Sequence, residues 1–437
     1  MSATATIDAG PAAPAATTGL RGFLGTPSPR RSLTMAAVFF VLLSLTRVIT
    51  DGGDLTSSQT ASTTLLVTIP ILLAGMAGLW AERVGIVNIG IEGMMIFGTW
   101  FGGWGAWKFG PWVGLVLGIL AGAIGGLIHA MAVVKFNVNH VISGVAINLF
   151  AFGAMRYMSE LVYTADIQGA GISQSPQQKY PIPRVNLPFL AGGTIGDWKT
   201  PDALGWLEEK GWFIIGDLAG ILRGLVFNVS WAALIALTLV PISTWVLWRT
   251  RFGLRLRSSG EAPSAAESLG VKVTPLRYVA MAISGAFAGF GGAFLAIVSS
   301  SYYRQGQTAS RGFIGLATTI FGNWRPLGVL GGATLFGFAE ALQLVGPSSL
   351  PKLFLFFTFA CGVFVLVSLA RQKVVSAGAA VIAGFLFFVV YQQVSKVPEP
   401  LTKSAPYVLT LIVLATASQR LRPPAHAGQP YRSGESH

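Results

Sequence analysis

The sequence is poor in cysteine, histidine and charge. Cys361 is the only cysteine among 437 residues and lies in the apolar run LFLFFTFACGVFVLVSL, which excludes a disulfide framework and a cysteine-based metal site. The four histidines, at 129, 140, 426 and 437, are scattered, so we expect no metal site. Only 11% of the residues are charged, against roughly 25% in an average soluble domain. This composition excludes an ordinary soluble protein.

Apolar residues and glycine make up much of the chain. Hydrophobic residues account for 52% of it, and the mean hydropathy is +0.62. The 54 glycines far exceed the usual share of about 7%, and small residues let helices approach closely in lipid. We therefore predict an all-α polytopic integral membrane protein, a tight bundle of roughly 10–12 transmembrane helices with broken or re-entrant segments.

Basic residues exceed acidic ones, 30 to 17, which gives a net charge of +13. In a membrane protein such an excess marks cytoplasmic loops, so we expect no nucleic acid partner. Residues 249–277 carry six basic and two acidic residues, whereas residues 163–230 carry five and six. The first loop is therefore predicted to be cytoplasmic and the second extracytoplasmic. The second contains the stretch GWFIIGDLAGILRGLVFN, a predicted interfacial helix with Asp217 and Arg223 facing water.

The chain is predicted to have three parts. Residues 1–33, rich in Ala, Thr, Pro and Gly, predict a disordered cytoplasmic arm, residues 34–418 a transmembrane domain, and residues 419–437 a cytoplasmic tail. The charge rule favours twelve spans, with ten or eleven as alternatives, because 312–323 is short enough to be a broken span. The predicted spans lie at 33–48, 62–80, 84–107, 111–134, 140–162, 231–248, 277–298, 312–323, 326–345, 351–370, 374–394 and 405–418.

Three Gly-rich or polar segments interrupt these runs: 81–104, 136–153 and 310–344. Broken helices mark transport pathways, because freed backbone groups at membrane depth must line a cavity or meet a partner helix. The candidate pathway residues are Asn88, Glu92, Trp100, Asn139, Asn148 and Glu340. Each has an alternative interpretation. Asn88 and Asn148 suit interhelical hydrogen bonds, Asn137 and Asn139 suit a helix cap, and the acids suit structural bonding.

A short helix is predicted in the loop 249–277. Pro263 fits a first helical position, Glu261 suits the positive helix end, and Gly270 fits the residue past the last turn. The predicted helix has about two turns. Its predicted apolar face, at i, i+3, i+4 and i+7, would suit docking into a groove of another protein; it consists of Ala262, Ala265, Ala266 and Leu269.

The stretch that begins at Gly260, GEAPSAAESLGVKVTPLRYVAMAISGAFAGFGGAFL, resembles the coupling-helix region of permease subunits of ABC importers. These import branched-chain amino acids, simple sugars or nucleosides. Four further segments resemble the nucleoside and simple-sugar branch in the same order: AERVGIVNIGIEGMMIFGTW, NHVISGVAINLF, RGFIGLATTIFGNWRPLG and PYVLTLIVL. His140, the arm 1–33, the loop 163–230 and the run 374–394 depart from that pattern.

The resemblance implies a permease domain at 34–418 in the bacterial plasma membrane, paired with a second permease subunit in a heterodimer. Two ATP-binding subunits would drive it, and an extracytoplasmic binding protein would deliver the solute. ATP would be bound by those partners, because the chain has no GxxxxGK[ST] phosphate loop. The implied coupling residues are Gly260, Glu261, Pro263, Ala265, Ala266, Leu269 and Gly270.

Several functions remain open from sequence. The resemblance favours a nucleoside permease, and the amides together with the indoles of Trp100 and Trp104 suit a neutral, polar, ring-bearing solute. A branched-chain amino acid or simple-sugar permease would share the coupling loop. An ion-coupled secondary transporter would use Glu92 and Glu340 as coupling carboxylates. A membrane-embedded enzyme has little support, because no nucleophile or His/Asp/Glu constellation is evident.

Overall fold

The computed structural model describes residues 29–163, 167, 173–195, 197–345, 351–394 and 421–431. Almost all regular structure in these ranges is helical, which confirms the predicted fold class. Residues 1–28 of the predicted arm and the predicted span 405–418 lie outside the described residues. The first helix begins at Pro29, four residues before the predicted boundary.

Fifteen α-helices follow one another in the described parts of the chain. They are α1 (Pro29–Thr50), α2 (Ser58–Arg83), α3 (Ile91–Phe109), α4 (Pro111–Ala130), α5 (His140–Val162), α6 (Ala203–Glu209), α7 (Ile215–Val226), α8 (Trp231–Arg249), α9 (Arg251–Glu261), α10 (Pro263–Ser268), α11 (Val273–Phe294), α12 (Arg311–Phe321), α13 (Pro326–Val345), α14 (Lys352–Ala370) and α15 (Val374–Gln393). Single π-helical turns extend α4 through Lys135 and α11 through Ser299.

Eight described helices are long and apolar enough to cross a membrane: α2, α4, α5, α8, α11, α13, α14 and α15. Helices α1 and α3, with 22 and 19 residues, also have about the length that a bilayer requires. Helix α12 has 11 residues and is therefore about 16 Å long, half of the hydrocarbon thickness. The non-helical chain at 300–310 precedes it, as expected for a broken span.

Helices α2, α4 and α11 form the packed centre with α3 and α13. Gly122 of α4 and Gly289 of α11 face each other, and a Cβ added at Gly289 would lie 2.9 Å from the Cα of Gly122. Only glycine permits this distance between two backbones, since real Cβ atoms need more room. The glycine excess therefore serves helix packing, as the composition predicts.

The segment between α5 and α8 folds onto the outer ends of α1 and α2. Two short antiparallel pairs lie in it, β1 (Arg184–Val185) with β4 (Val229–Ser230) and β2 (Thr194–Ile195) with β3 (Trp198–Lys199). Helix α7 confirms the predicted helix.

The prediction that Asp217 faces water is wrong, because Asp217 is buried. Its carboxylate accepts hydrogen bonds from Ser44 and Thr56 and pairs with Arg47 at 2.8 Å. Arg223 forms an ion pair with Asp202 at 2.7 Å. The hydrogen bond that its guanidinium donates to this carboxylate raises the pKa of Arg223. Helix α7 is therefore docked on the bundle by polar contacts rather than lying free in the interface.

Candidate functional site

The predicted span 84–107 is broken, because α2 ends at Arg83 and α3 starts at Ile91. We call the seven non-helical residues 84–90 the α2–α3 break. The N–H of Val87 donates to His140 Nδ1 at 3.3 Å, and the carbonyl of Val87 lies 3.4 Å from His129 Nε2. His129 Nδ1 lies 2.8 Å from Ser143 Oγ. His140 and His129 thus pair with the backbone N–H and carbonyl groups of Val87 in the break.

Asn148 joins the two sides of the break. Its Nδ2 donates to the carbonyl of Ile89 at 3.0 Å, and its Oδ1 accepts from the N–H of Gly93 at 2.7 Å. One turn earlier, Gly144 lets α5 approach, since a Cβ there would lie 2.8 Å from the nitrogen of Gly90. The interhelical bonding interpretation of Asn148 is confirmed, and its role in a pathway stays a prediction.

Asn88 is fully buried in the same break. Its Nδ2 donates to Ser284 Oγ at 3.0 Å, and this hydroxyl donates to the carbonyl of Ala77 at 2.7 Å. Among the described residues, its Oδ1 has no hydrogen-bond partner. Asn88 therefore links the break to α11 and α2, which confirms the interhelical interpretation.

Glu92 lies in the first turn of α3 and is buried. Its two carboxylate oxygens accept from the N–H of Ser310 at 3.0 Å and of Gly312 at 2.7 Å. These are orphan donors at the N-terminus of α12, where a negative charge is favourable. Glu92 therefore faces the interior, as predicted, and joins the α2–α3 break to the broken span that contains α12.

Glu340 of α13 forms an ion pair with Arg311, the first residue of α12. Arg311 also donates to the carbonyls of Gln307 and Thr308, both at 3.3 Å. The pair fastens α12 to α13, which agrees with the structural interpretation of Glu340. Both acids on which ion coupling would depend are thus engaged with protein groups.

Trp100 is buried and Asn139 is exposed, and the side chains of both form hydrogen bonds within the protein. Trp100 is 2% exposed, donates through Nε1 to Ser159 Oγ at 3.0 Å, and stacks on Trp104 with ring centroids 6.2 Å apart. Its ring is therefore not free to stack on a solute in this conformation. Asn139 caps α5 by accepting from the N–H groups of Val141 and Ile142, which confirms the cap interpretation.

A small crevice, which sequence reasoning did not find, lies between α3, α5 and the chain before α12. Its volume is about 10 Å³, enough for one water molecule. Its polar lining consists of Thr99, Tyr303, Gln305, Gln307 and Thr308, and its apolar lining includes Ile96, Phe152 and Met155. The crevice lies close to Glu92, because Ile96 is one helical turn after it and Thr308 is two residues before Ser310.

The segment between α5 and α8 closes this region from one side. Backbone N–H groups of Ser175 and Gln178 donate to the carbonyls of Tyr303 and Ser301 at 3.0 and 2.9 Å. Burial raises the pKa of Tyr303. Burial also raises the pKa of Tyr163, and the neighbouring Tyr303 adds to this shift. Both phenols therefore stay neutral, so the crevice and its surroundings offer uncharged donors and acceptors.

The short helix predicted at Pro263 is present as α10, and its role in coupling stays a prediction. Pro263 occupies its first position, and Gly270 follows with a left-handed φ of 81°. Gly260 permits close approach to the break, since a Cβ there would lie 3.0 Å from the nitrogen of Gly85. Oε1 of Glu261 lies 3.9 Å from Nη1 of Arg83. The sequence missed α9, which precedes α10 and lies in the part of the loop that was interpreted only as charged chain.

The predicted apolar face of α10 is wrong in one residue. Ala266 is 4% exposed and packs with Val273 and Tyr431, because α10 lies against the start of α11. Leu269, in contrast, is 85% exposed, and Ala262 and Ala265 are exposed beside it. The free apolar face therefore consists of Ala262, Ala265 and Leu269.

A second junction that sequence reasoning missed joins the end of α2 to the turn between α12 and α13. Trp324 Nε1 donates to Glu82 Oε2 at 2.5 Å, and Arg83 donates to the carbonyl of Trp324 at 2.6 and 3.1 Å. Glu82 and Arg83 lie at the start of the Gly-rich segment 81–104, and nothing in their spacing indicates that they contact Trp324. This end of α2 is thus held to the α12–α13 turn as well as to α9.

Comparison with known proteins shows similarity to membrane permeases. A family model described as "Branched-chain amino acid transport system / permease component" matches residues 60–366. The chain is 34% identical over 290 residues to the guanosine ABC transporter permease protein NupQ of Bacillus subtilis, covering 65% of this chain and 81% of NupQ. No solved structure matches.

Two further relatives carry different substrate names. Identity is 32% over 289 residues to the nucleoside ABC transporter permease protein NupC of Lactococcus lactis, covering 64% of this chain and 81% of NupC. It is 27% over 333 residues to the glucose ABC transporter permease protein TsgB13 of Haloferax volcanii, covering 74% and 79%. Since the family model spans well over half of the chain, this multi-pass membrane protein belongs to the family of permease components of branched-chain amino acid transport systems.

Proposed function

We propose that this chain is a permease subunit of an ATP-driven importer of nucleosides in the bacterial plasma membrane. One observation carries the proposal: at 34% and 32% identity, the chain matches four fifths of two permeases named for guanosine and for nucleosides. A simple sugar is the second candidate, because a glucose permease matches over 74% of the chain.

The crevice has no charged residue in its lining, which supports an uncharged solute. It presents hydroxyl and amide groups at Thr99, Gln305, Gln307 and Thr308, which suit ribose hydroxyls and base edges. The nearby charges of Glu92 and Arg311 are engaged with protein partners. The crevice has no charged lining residue that could pair with the ionised ends of an amino acid.

A second permease subunit is part of the proposal. A crevice of about 10 Å³ is far too small for a nucleoside, which needs a pocket of roughly 300 Å³ or more. Phe152 of α5 lines the crevice, and the same helix exposes Ile142, Leu149 and Phe150. We place the partner subunit against this face of α5, so that the pathway widens between the two subunits as they move.

ATP would be bound and hydrolysed by two separate subunits, since the chain lacks a phosphate loop, and an extracytoplasmic binding protein would deliver the solute. The chain itself would have no catalytic residue and no cofactor. The free face of α10 is the proposed docking surface for one ATPase subunit, because an exposed leucine flanked by alanines suits a narrow apolar groove.

The docking surface is tested by Leu269→Glu, which places a charge at its centre. We expect an inserted protein that no longer co-purifies with the ATPase subunit and loses uptake, because a charge in an apolar groove is not solvated. Ser264→Glu is the matched control, since Ser264 is exposed on another side of α10 and should tolerate the same charge. Equal binding by both variants would contradict the assignment. Ala266 is unsuitable for this test because it is buried.

The substrate is tested by uptake in a strain that lacks the chain. Labelled nucleosides, glucose and leucine are offered to this strain with and without the restored gene. We expect restored uptake of nucleosides, with competition by unlabelled nucleosides and none by glucose or leucine. Restored uptake of glucose or leucine without nucleosides would contradict the proposal.

A further inference from the structure

The residues at 421–431, which we call the C-terminal strap, lie on the same end of the molecule as α10. The N–H of Arg422 donates to Asn323 Oδ1 at 2.9 Å, in the turn between α12 and α13. The N–H of Ala425 donates to Glu261 Oε2 at 3.1 Å, and that of His426 to the carbonyl of Gly260 at 3.0 Å. The strap therefore connects the α12–α13 turn with the joint between α9 and α10.

The strap then reaches the α2–α3 break. The N–H of Gly428 donates to the carbonyl of Gly85 at 3.0 Å. Gly85 has a left-handed φ of 95° and Gly428 one of 79°, so both chains turn where they meet. The turn within the strap is closed by its own bonds, among them the N–H of Gln429 to the carbonyl of His426 at 3.2 Å.

Tyr431 fastens the strap to α10 and α11. Its ring is buried against Ala266 and Val273, and its hydroxyl donates to Glu267 Oε2 at 2.6 Å. Burial, with a smaller contribution from Glu267, raises the pKa of Tyr431 to about 12, so the phenol remains a donor at cellular pH.

Arg277 of α11 lies between Tyr431 of the strap and the α2–α3 break. The side chain is 1% exposed, and among the described residues its Nε and Nη2 have no hydrogen-bond partner. Its guanidinium carbon lies 4.9 Å from the centre of the Tyr431 ring, a cation–π distance. A Cβ at Gly85 would lie 3.1 Å from Arg277 Nη2, so this one arginine contacts both the strap and the α2–α3 break.

We propose that the C-terminal strap makes α10 and the α2–α3 break move together, with Tyr431 as the positioning residue. The inference rests on the proposed function, in which an ATPase subunit displaces α10. That displacement passes through Tyr431 and Gly428 to Gly85, and from the break to Asn148 and Glu92. Helix α11 provides a second, separate connection, so loss of the strap weakens transmission without removing the docking surface.

The test compares Tyr431→Ala, Tyr431→Phe and a chain that ends at residue 420, each within the complete transporter. ATP hydrolysis and nucleoside uptake are measured together, and co-purification of the ATPase subunit is measured separately. For Tyr431→Ala and the truncated chain we expect retained assembly and hydrolysis, but about fivefold or more ATP hydrolysed per nucleoside imported. Tyr431→Phe keeps the ring over Arg277 and should fall between the parent and Tyr431→Ala.

Arg422→Ala is the matched control within the strap, since its side chain is exposed and only its backbone makes the contact with Asn323. It should match the parent. If the truncated chain hydrolysed the same amount of ATP per imported nucleoside as the parent, the proposal for the strap would be wrong. It would also be wrong if loss of ATPase binding fully accounted for the lost uptake. Absence of nucleoside uptake by the parental complex would instead overturn the proposed function.

Hydrogen exchange provides a measurement that does not depend on the variants being inserted. In the parental complex, peptides covering 84–90, 260–270 and 421–431 are followed with and without ATP. The proposal predicts that protection in the three segments changes together. A change at 260–270 that leaves the strap and the break unaltered would overturn it.

Discussion

Two helix pairs of this protein are both apolar enough to cross a membrane, but they lie in opposite surroundings. Within their apolar windows, α2 and α11 are 89% and 83% buried inside the protein, whereas α14 and α15 are each 17% buried. The exposed pair is also the more hydrophobic one. Hydropathy therefore identifies the spans without telling which of them form the centre.

Side-chain size and polarity distinguish the two pairs. The backbone of Gly289 in α11 packs on the backbone of α4. Ser284 Oγ of α11 accepts a hydrogen bond from Nδ2 of the buried Asn88. Between α14 and α15 the contact is aromatic, with the Phe357 and Phe387 rings 5.4 Å apart. In lipid, apolar surface alone gives no preference for the interior. Close backbone packing and polar groups that need partners select the central helices.

The largest expected effect comes from a bulky residue at the central contact. Gly289→Val would drive its side chain into the backbone of α4 at Gly122, and such overpacking costs about 1–3 kcal/mol or more. We expect a severe loss of inserted, monodisperse protein, measured by size-exclusion chromatography in detergent. Gly378→Val is the control on α15, because no atom lies within 4 Å of a Cβ there. Equal yields of the two variants would remove the distinction between the two pairs.

Glu92 should show the next largest effect, because it is the acid that joins two broken segments. Glu92→Leu leaves the N–H groups of Ser310 and Gly312 without their acceptor, at about 1–3 kcal/mol for the buried donor of Gly312. Glu92→Gln keeps one acceptor oxygen and should retain part of the uptake. Glu209, exposed on α6, is the matched control, and Glu209→Leu should transport like the parent. Full transport by Glu92→Leu would remove this residue from the mechanism.

The smallest effect is expected for asparagines on one helix. Asn148→Ala removes two hydrogen bonds from the buried side of α5, and we expect it to destabilise the protein by roughly 1–3 kcal/mol. Asn139→Ala removes only an exposed cap, at about 1 kcal/mol. Thermal unfolding in detergent, followed by uptake, compares them. The reverse order would show that the break is held by other groups.

The sequence predicted the helical membrane fold, the break before α3 and the helix at Pro263, because these follow from hydropathy, glycine and proline. It could not predict pairings between distant segments. His129 and His140 meet at Val87, and Glu92 reaches α12 across more than 200 positions. Asp217 and Ala266 were misplaced for the same reason: a local pattern places a residue on one side of a helix without indicating what covers that side.

The most direct measurement is nucleoside transport by the purified complex in proteoliposomes, with ATP supplied on the side that α10 faces. We predict accumulation of labelled nucleoside that requires hydrolysable ATP and persists when ionophores dissipate every ion gradient. Accumulation driven by an ion gradient without ATP, or no nucleoside accumulation with ATP, would contradict a nucleoside permease powered by separate ATPase subunits.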